Sequence, residues 1–128
     1  MVEWVWIQTV VALIAHEEQL HDHGGPQGVR DIALLESALA RPRNLATYGE
    51  PDAAALAASY AFGIARNHPF VDGNKRTAAV VSETFLNMNG YSLLASDPEL
   101  VAAIETLAAG ELPEEELASW FREHLVKD

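Results

Sequence analysis

Ten consecutive residues, His68-Pro69-Phe70-Val71-Asp72-Gly73-Asn74-Lys75-Arg76-Thr77, put an imidazole, a carboxylate, a Gly-Asn pair and two adjacent cations into one short stretch. Glycine lets backbone approach a ligand without a Cβ in the way, and a helix that starts just after it offers N–H groups lacking intrahelical partners. Gly73, Asn74, Lys75 and Arg76 therefore read as a phosphate cradle. Lys75 brings a compact point charge and Arg76 a fork that can grip two oxygens. A carboxylate so close to phosphate repels it unless a cation bridges the two. Mg²⁺ does this with one or two protein carboxylates, phosphate oxygens and water, so Asp72 reads as a magnesium ligand. Histidine titrates nearest neutrality of all side chains, which makes His68 the candidate general base. A base four residues from a metal-bound phosphate points to transfer onto a hydroxyl.

Singly, each residue has a plainer reading. A histidine before proline is commonly a helix-end residue, Asp-Gly a turn, and Lys-Arg a solvated first helical turn. The combination, in this order, is what carries the chemical reading.

The elements around the stretch read as helices. Ile7 to Asp22 has an apolar stripe of Val10, Val11, Leu13, Ile14 and Leu20, and ends at Gly24-Gly25. Its His16, His21 and His23 fit no zinc spacing, and near a helix C-terminus they read as solvated partners of the helix dipole. Gly25-Pro26-Gln27-Gly28 is a turn-rich connector. A second helix is expected from Asp31, its N-cap, to Ala40, with Pro42 as a stop and Arg43 to Glu50 as an irregular link whose Tyr48 and Gly49 border a groove or merely pack. An alanine-rich helix, Asp52 to Asn67, has few charges on most faces and so belongs at the centre. Pro69 disfavours helix in the residue before it, so His68 begins the loop. Lys75 to Met88 resumes helix and closes at Asn89-Gly90. Ser96-Asp97-Pro98-Glu99 opens another that stops at Gly110. The last starts near Pro113 and turns Leu117, Trp120, Phe121, His124 and Leu125 to one face. Strand signals are confined to the first residues and Tyr91 to Leu94. The expectation is an all-α bundle of about six helices forming one domain over residues 1–128, with the charged loop between two central helices.

Composition narrows the function classes. A formal charge of −11, with only eight Lys and Arg, disfavours direct nucleic-acid binding, which draws its affinity from neutralised phosphates. Cysteine is absent, so disulfides and thiolate metal sites are excluded. The N-terminal residues lack the basic region of a signal peptide and no apolar run approaches a membrane span, so a cytoplasmic location is expected.

The motif His68-Pro69-Phe70-Val71-Asp72-Gly73-Asn74-Lys75-Arg76 resembles the signature loop of the Fic/Doc family, specifically its death-on-curing toxin branch. The resemblance extends to Gly28-Val29-Arg30-Asp31, to Leu34-Leu35-Glu36-Ser37-Ala38-Leu39-Ala40-Arg41-Pro42 and to Asn89-Gly90-Tyr91. It implies a compact helical fold, ATP as cosubstrate and modification of a protein hydroxyl. By position, His68 matches the family's catalytic histidine, Asp72 its acidic metal residue, and Gly73, Asn74 and Arg76 its phosphate loop.

Two departures select the branch. Nucleotidyl-transferring members usually have glycine where this chain has Lys75 and a second arginine where it has Ala79. Members of the toxin branch share the lysine, which implies transfer of the γ-phosphate of ATP to a threonine of translation elongation factor Tu and arrest of protein synthesis. His68 would deprotonate the threonine, Asp72 would hold Mg²⁺, and Asn74, Lys75 and Arg76 would stabilise phosphate charge. An inhibitory segment of the form Ser/Thr-x-x-x-Glu-Gly/Asn is not found, so restraint by a separate antitoxin is expected. The alternatives are protein adenylylation on the same scaffold and a catalytically silent helical binding module. The second has no use for an intact His68.

Overall fold

The computed structural model describes residues 2–128 and shows six helices and two short strands. In chain order these are α1 (Thr9–His23), α2 (Ile32–Tyr48), α3 (Ala53–Asn67), α4 (Asn74–Met88), β1 (Tyr91–Leu93), α5 (Asp97–Ala108), α6 (Glu114–His124) and β2 (Leu125–Lys127). The all-α bundle read from the sequence is the observed architecture. None of the described helices is long and apolar enough to cross a membrane.

The alanine-rich α3 is the axis. Eleven of its fifteen residues are buried, and α2, α4, α5 and α6 all pack against it. Small side chains make this possible: a Cβ built on Gly63 would lie 3.0 Å from Ala38 Cα and Cβ and 3.2 Å from Ala38 O, so α2 and α3 touch backbone to backbone there. The Asp52 side chain caps α3 by accepting the Ala55 N–H at 2.9 Å. Tyr60, Phe70, Phe85 and Phe121 fill the core around it. The entering segment is fixed to the same centre, because Ile7 N–H donates to Tyr60 Oη at 2.9 Å and Trp4 and Trp6 pack on Phe85. Asn89 gives that segment the pairing a neighbouring strand would supply, accepting Val5 N–H and donating to Val5 O.

Three expectations are corrected. Pro42 does not stop the second helix: it lies buried inside α2, which continues to Tyr48, so the expected irregular link is largely helical. A proline in a helix leaves the carbonyl four residues back without its donor. Here that is Ala38 O, at the point of closest approach to Gly63. Tyr48, exposed at 89%, does not line the cleft described below. The apolar stripe assigned to the first helix is only partly its buried face: Val11 and Leu13 pack against the core, but Val10 and Ile14 are 59% and 51% exposed, and the fully buried positions are Ala12, Ala15 and His16. Finally, Leu125 leaves the last helix for β2, which pairs antiparallel with β1 in the register Tyr91 to Lys127 and Leu93 to Leu125.

Candidate functional site

The signature stretch forms the turn from α3 into α4, and its first residue is under strain. His68 caps α3 in the left-handed region, at φ 50° and ψ 56°, where a residue with a Cβ costs about 1–3 kcal/mol unless its surroundings impose it. Arg30 is the main such surrounding. Its Nε donates to His68 O at 2.7 Å and its Nη2 to Asn67 O at 2.9 Å, bonding the last carbonyls of α3 with a charge that suits a helix C-terminus. The α1–α2 connector also runs antiparallel to the loop: Arg30 and Asp31 N–H donate to Pro69 O, and Val71 N–H donates to Gly28 O at 3.1 Å.

Inside the loop, Phe70 is 1% exposed and anchors it in the core. Asn74, 5% exposed, braces it: Oδ1 accepts Phe70 N–H and Nδ2 donates to Phe70 O, both at 3.0 Å. The same amide nitrogen lies 3.4 Å from His68 Nδ1, a long contact. Its side chain is therefore committed to the loop, and what Asn74 has left for a ligand is its main-chain N–H. Gly73, at φ 79°, is the N-cap of α4, and Thr77 N–H makes the first intrahelical bond to Gly73 O at 3.0 Å. The N–H groups of Asn74, Lys75 and Arg76 precede it and are the donors an anion would use.

His68, Asp72, Lys75 and Arg76 are exposed and border one cleft of about 420 Å³, closed opposite by Gln19, Leu20, His23 and Gly24 at the end of α1 and by Val101 and Glu105 of α5. The structure thus brings all six sequence-proposed residues, with Gly73 and Asn74, to one opening. The two ion pairs among the described residues, Arg41–Glu114 and Arg122–Asp52, lie elsewhere, so none of the loop's charged groups is held in an ion pair. Arg76 Nη1 donates to His23 Nε2 at 3.4 Å. Beyond Arg76 a second groove of about 600 Å³ runs between α1, α4 and α5, with Ala79 and Val80 on its floor and Glu83 and Asp97 on its wall. Burial holds the Glu83 carboxyl above the ordinary carboxylate range, and the Asp97 charge adds to this.

No cluster of three or more metal-ligating side chains occurs among the described residues. A magnesium bound mainly by phosphate oxygens and water needs only one or two carboxylates, so Asp72 fits that donor set. Its carboxylate has room because residue 25 is glycine: a Cβ there would lie 2.6 Å from Asp72 Oδ2.

Two supporting residues were not legible as such in the sequence. Arg30 enters the sequence reading only within the family pattern. His16, expected to be solvated, is 4% exposed, stacks on Phe70 with ring centroids 3.8 Å apart, and donates from Nε2 to Asp72 O at 2.8 Å. Its position between Ala12 and Leu20 at four-residue spacing was the available signal.

Comparison with known proteins places the chain in a family. The model of the Fic/DOC family matches residues 6–86, more than half of the chain. A protein named Toxin Doc from Mycolicibacterium smegmatis is 47% identical over 75 residues, a match that spans 56% of this chain and 57% of that relative. Protein kinase doc of Escherichia phage P1 is 32% identical over 108 residues, covering 84% of this chain and 85% of that protein.

Proposed function

This chain belongs to the Fic/DOC family, on its Doc toxin branch, and on that premise we propose that it is a toxin acting as a protein kinase: it transfers the γ-phosphate of ATP to a threonine of translation elongation factor Tu. The observation that carries the reading is the single cleft shared by a histidine at the left-handed end of α3, the unbonded N–H groups opening α4, and the cations Lys75 and Arg76. The relative named as a protein kinase, aligned over most of both chains, supports the same chemistry.

In this mechanism the cleft fixes the phosphates and leaves little covalent work for the protein, as is general in phosphoryl transfer. The Asn74, Lys75 and Arg76 N–H groups and the two cations bind phosphate oxygens and stabilise charge on the transferring group. His68 takes the proton from the threonine hydroxyl as its oxygen bonds to the γ-phosphorus, and the bond from that phosphorus to the β–γ bridging oxygen breaks to release ADP. Mg²⁺, held by Asp72, would neutralise phosphate charge and shape the nucleotide. Lys75 fills the place where nucleotidyl-transferring relatives have glycine, and Ala79 leaves the second groove without the arginine that would clamp distal phosphates. Both favour γ- over α-transfer. A separate antitoxin restrains the toxin in this reading.

The test is incubation of the protein with elongation factor Tu, Mg²⁺ and ATP labelled at either the α- or the γ-phosphate. Label from γ alone is expected, with a loss of at least about 100-fold in His68→Ala, the usual contribution of a general base. Label from α would mean adenylylation, and label from neither would refute the choice of target or of chemistry.

A further inference from the structure

His16 has no part in the chemistry just described, yet it is the most deeply buried of the chain's five histidines, and both its ring face and its Nε2 are spent on the signature loop. We propose that His16 is a positioning residue that sets the orientation of the Asp72–Gly73 peptide, and through it the anion-binding start of α4. The inference rests on the phosphate-binding reading of that helix start.

A carbonyl oxygen can only accept, so Nε2 carries the hydrogen of the bond to Asp72 O. In a trans peptide the C=O and the next N–H point in opposite directions. Holding Asp72 O against α1 therefore turns the Gly73 N–H away from His16. Without such a restraint this peptide has freedom to rotate, because Gly73 lacks a Cβ and already sits at φ 79°. Rotation would swing the Asp72 carbonyl, a partial negative charge, toward the anion site. The parallel stack on Phe70, at 7° between ring planes, fixes the imidazole against the loop's own anchor. A Cβ at Gly73 would lie 3.7 Å from His16 Cδ2 and Nε2, so α1 and the helix start are already in near contact.

The test separates the donor from the ring. His16→Phe keeps the stack and removes the donor, whereas His16→Gln removes the ring and keeps a donor at the reach of Nε2. In ligand-free protein, amide exchange at Phe70, Val71 and Thr77, whose N–H groups bond within or onto the loop, should quicken about tenfold in His16→Phe, the fold-change of one lost buried hydrogen bond. Titration with Mg²⁺–ATP should show a matching loss of affinity, and His16→Gln should recover most of both. Equal impairment in the two variants, or exchange in a folded His16→Phe like that of wild type, overturns the proposal. If His16→Phe does not fold, impaired exchange in a folded His16→Gln also overturns it, and wild-type exchange there supports it. Failure of wild-type protein to bind Mg²⁺–ATP would refute the phosphate-site reading alone, since the exchange measurement needs no nucleotide.

Discussion

Asn74→Ala distinguishes a ligand-binding side chain from a structural brace. The amide bonds both polar groups of the Phe70 backbone at 3.0 Å, in a place where Asn74 is 5% and Phe70 1% exposed. Alanine would leave a buried N–H and a buried C=O without partners, at about 1–3 kcal/mol each. The better helix propensity of alanine returns less than ~0.7 kcal/mol. The expected net loss is about 1–5 kcal/mol, which for a chain this size lowers the melting temperature by roughly 5–20 °C. Urea denaturation at neutral pH without nucleotide measures it. Asn74→Asp should be no better, because it keeps an acceptor for Phe70 N–H but faces Phe70 O with a second oxygen. Stability of Asn74→Ala within about 0.5 kcal/mol of wild type, with weakened ATP binding, would refute the brace and return the side chain to the phosphates.

Two further substitutions test the frame. Gly63→Ala would gain about 1 kcal/mol of helix propensity, but its Cβ would meet Ala38 Cα and Cβ at 3.0 Å, neither of which can swing aside; overpacking of roughly 1–3 kcal/mol should outweigh the gain. Unchanged or higher stability in chemical denaturation would show that α2 slides freely on α3. Glu83→Gln should stabilise the protein at neutral pH. A carboxyl whose folded pKa is raised contributes stability fully below its unfolded pKa and loses it as pH rises through the folded value. The advantage of glutamine should therefore shrink to nothing on acidification, and a difference independent of pH would contradict burial as the cause.

The parts of the fold legible in the sequence were those whose cause is local. Asp52 and Ser96 announce their helices as caps, and Ser96 with Glu99 completes a reciprocal capping box. Pro69 correctly ended α3 one residue short of His68. The misreadings all depended on a distant neighbour. Pro42 lies inside α2 where Ala38, the residue whose carbonyl it leaves without a donor, meets Gly63, twenty-five residues later in the chain, and no local rule can see that pairing. Val10 and Ile14 look like core residues by hydropathy. The close approach of α1 to the loop instead selects Ala12, Ala15 and His16 for the buried face. The site was legible as a list of residue types, because their order is unusual, but not as a division of labour: nothing in the letters shows that Asn74 faces inward and Lys75 outward.

That division has a physical logic. A short loop that must hold a histidine in the left-handed region and present free N–H groups cannot use regular secondary structure for its own polar groups. It borrows partners instead: Arg30 for the carbonyls of Asn67 and His68, Asn74 for both groups of Phe70, His16 for Asp72 O, and Gly28 for Val71 N–H. Burial follows the same split. Pro69, Phe70, Asn74 and Thr77 are buried, while His68, Asp72, Lys75 and Arg76 are exposed. Substitutions of the buried set should therefore lower stability and activity together, whereas substitutions of the exposed set should change phosphate transfer with little effect on unfolding. His68→Ala is the sharpest case, since alanine keeps the strained backbone and loses only the ring. A large fall in its melting temperature would mean that the imidazole also holds the loop together, and its loss of transfer could no longer be assigned to the missing base.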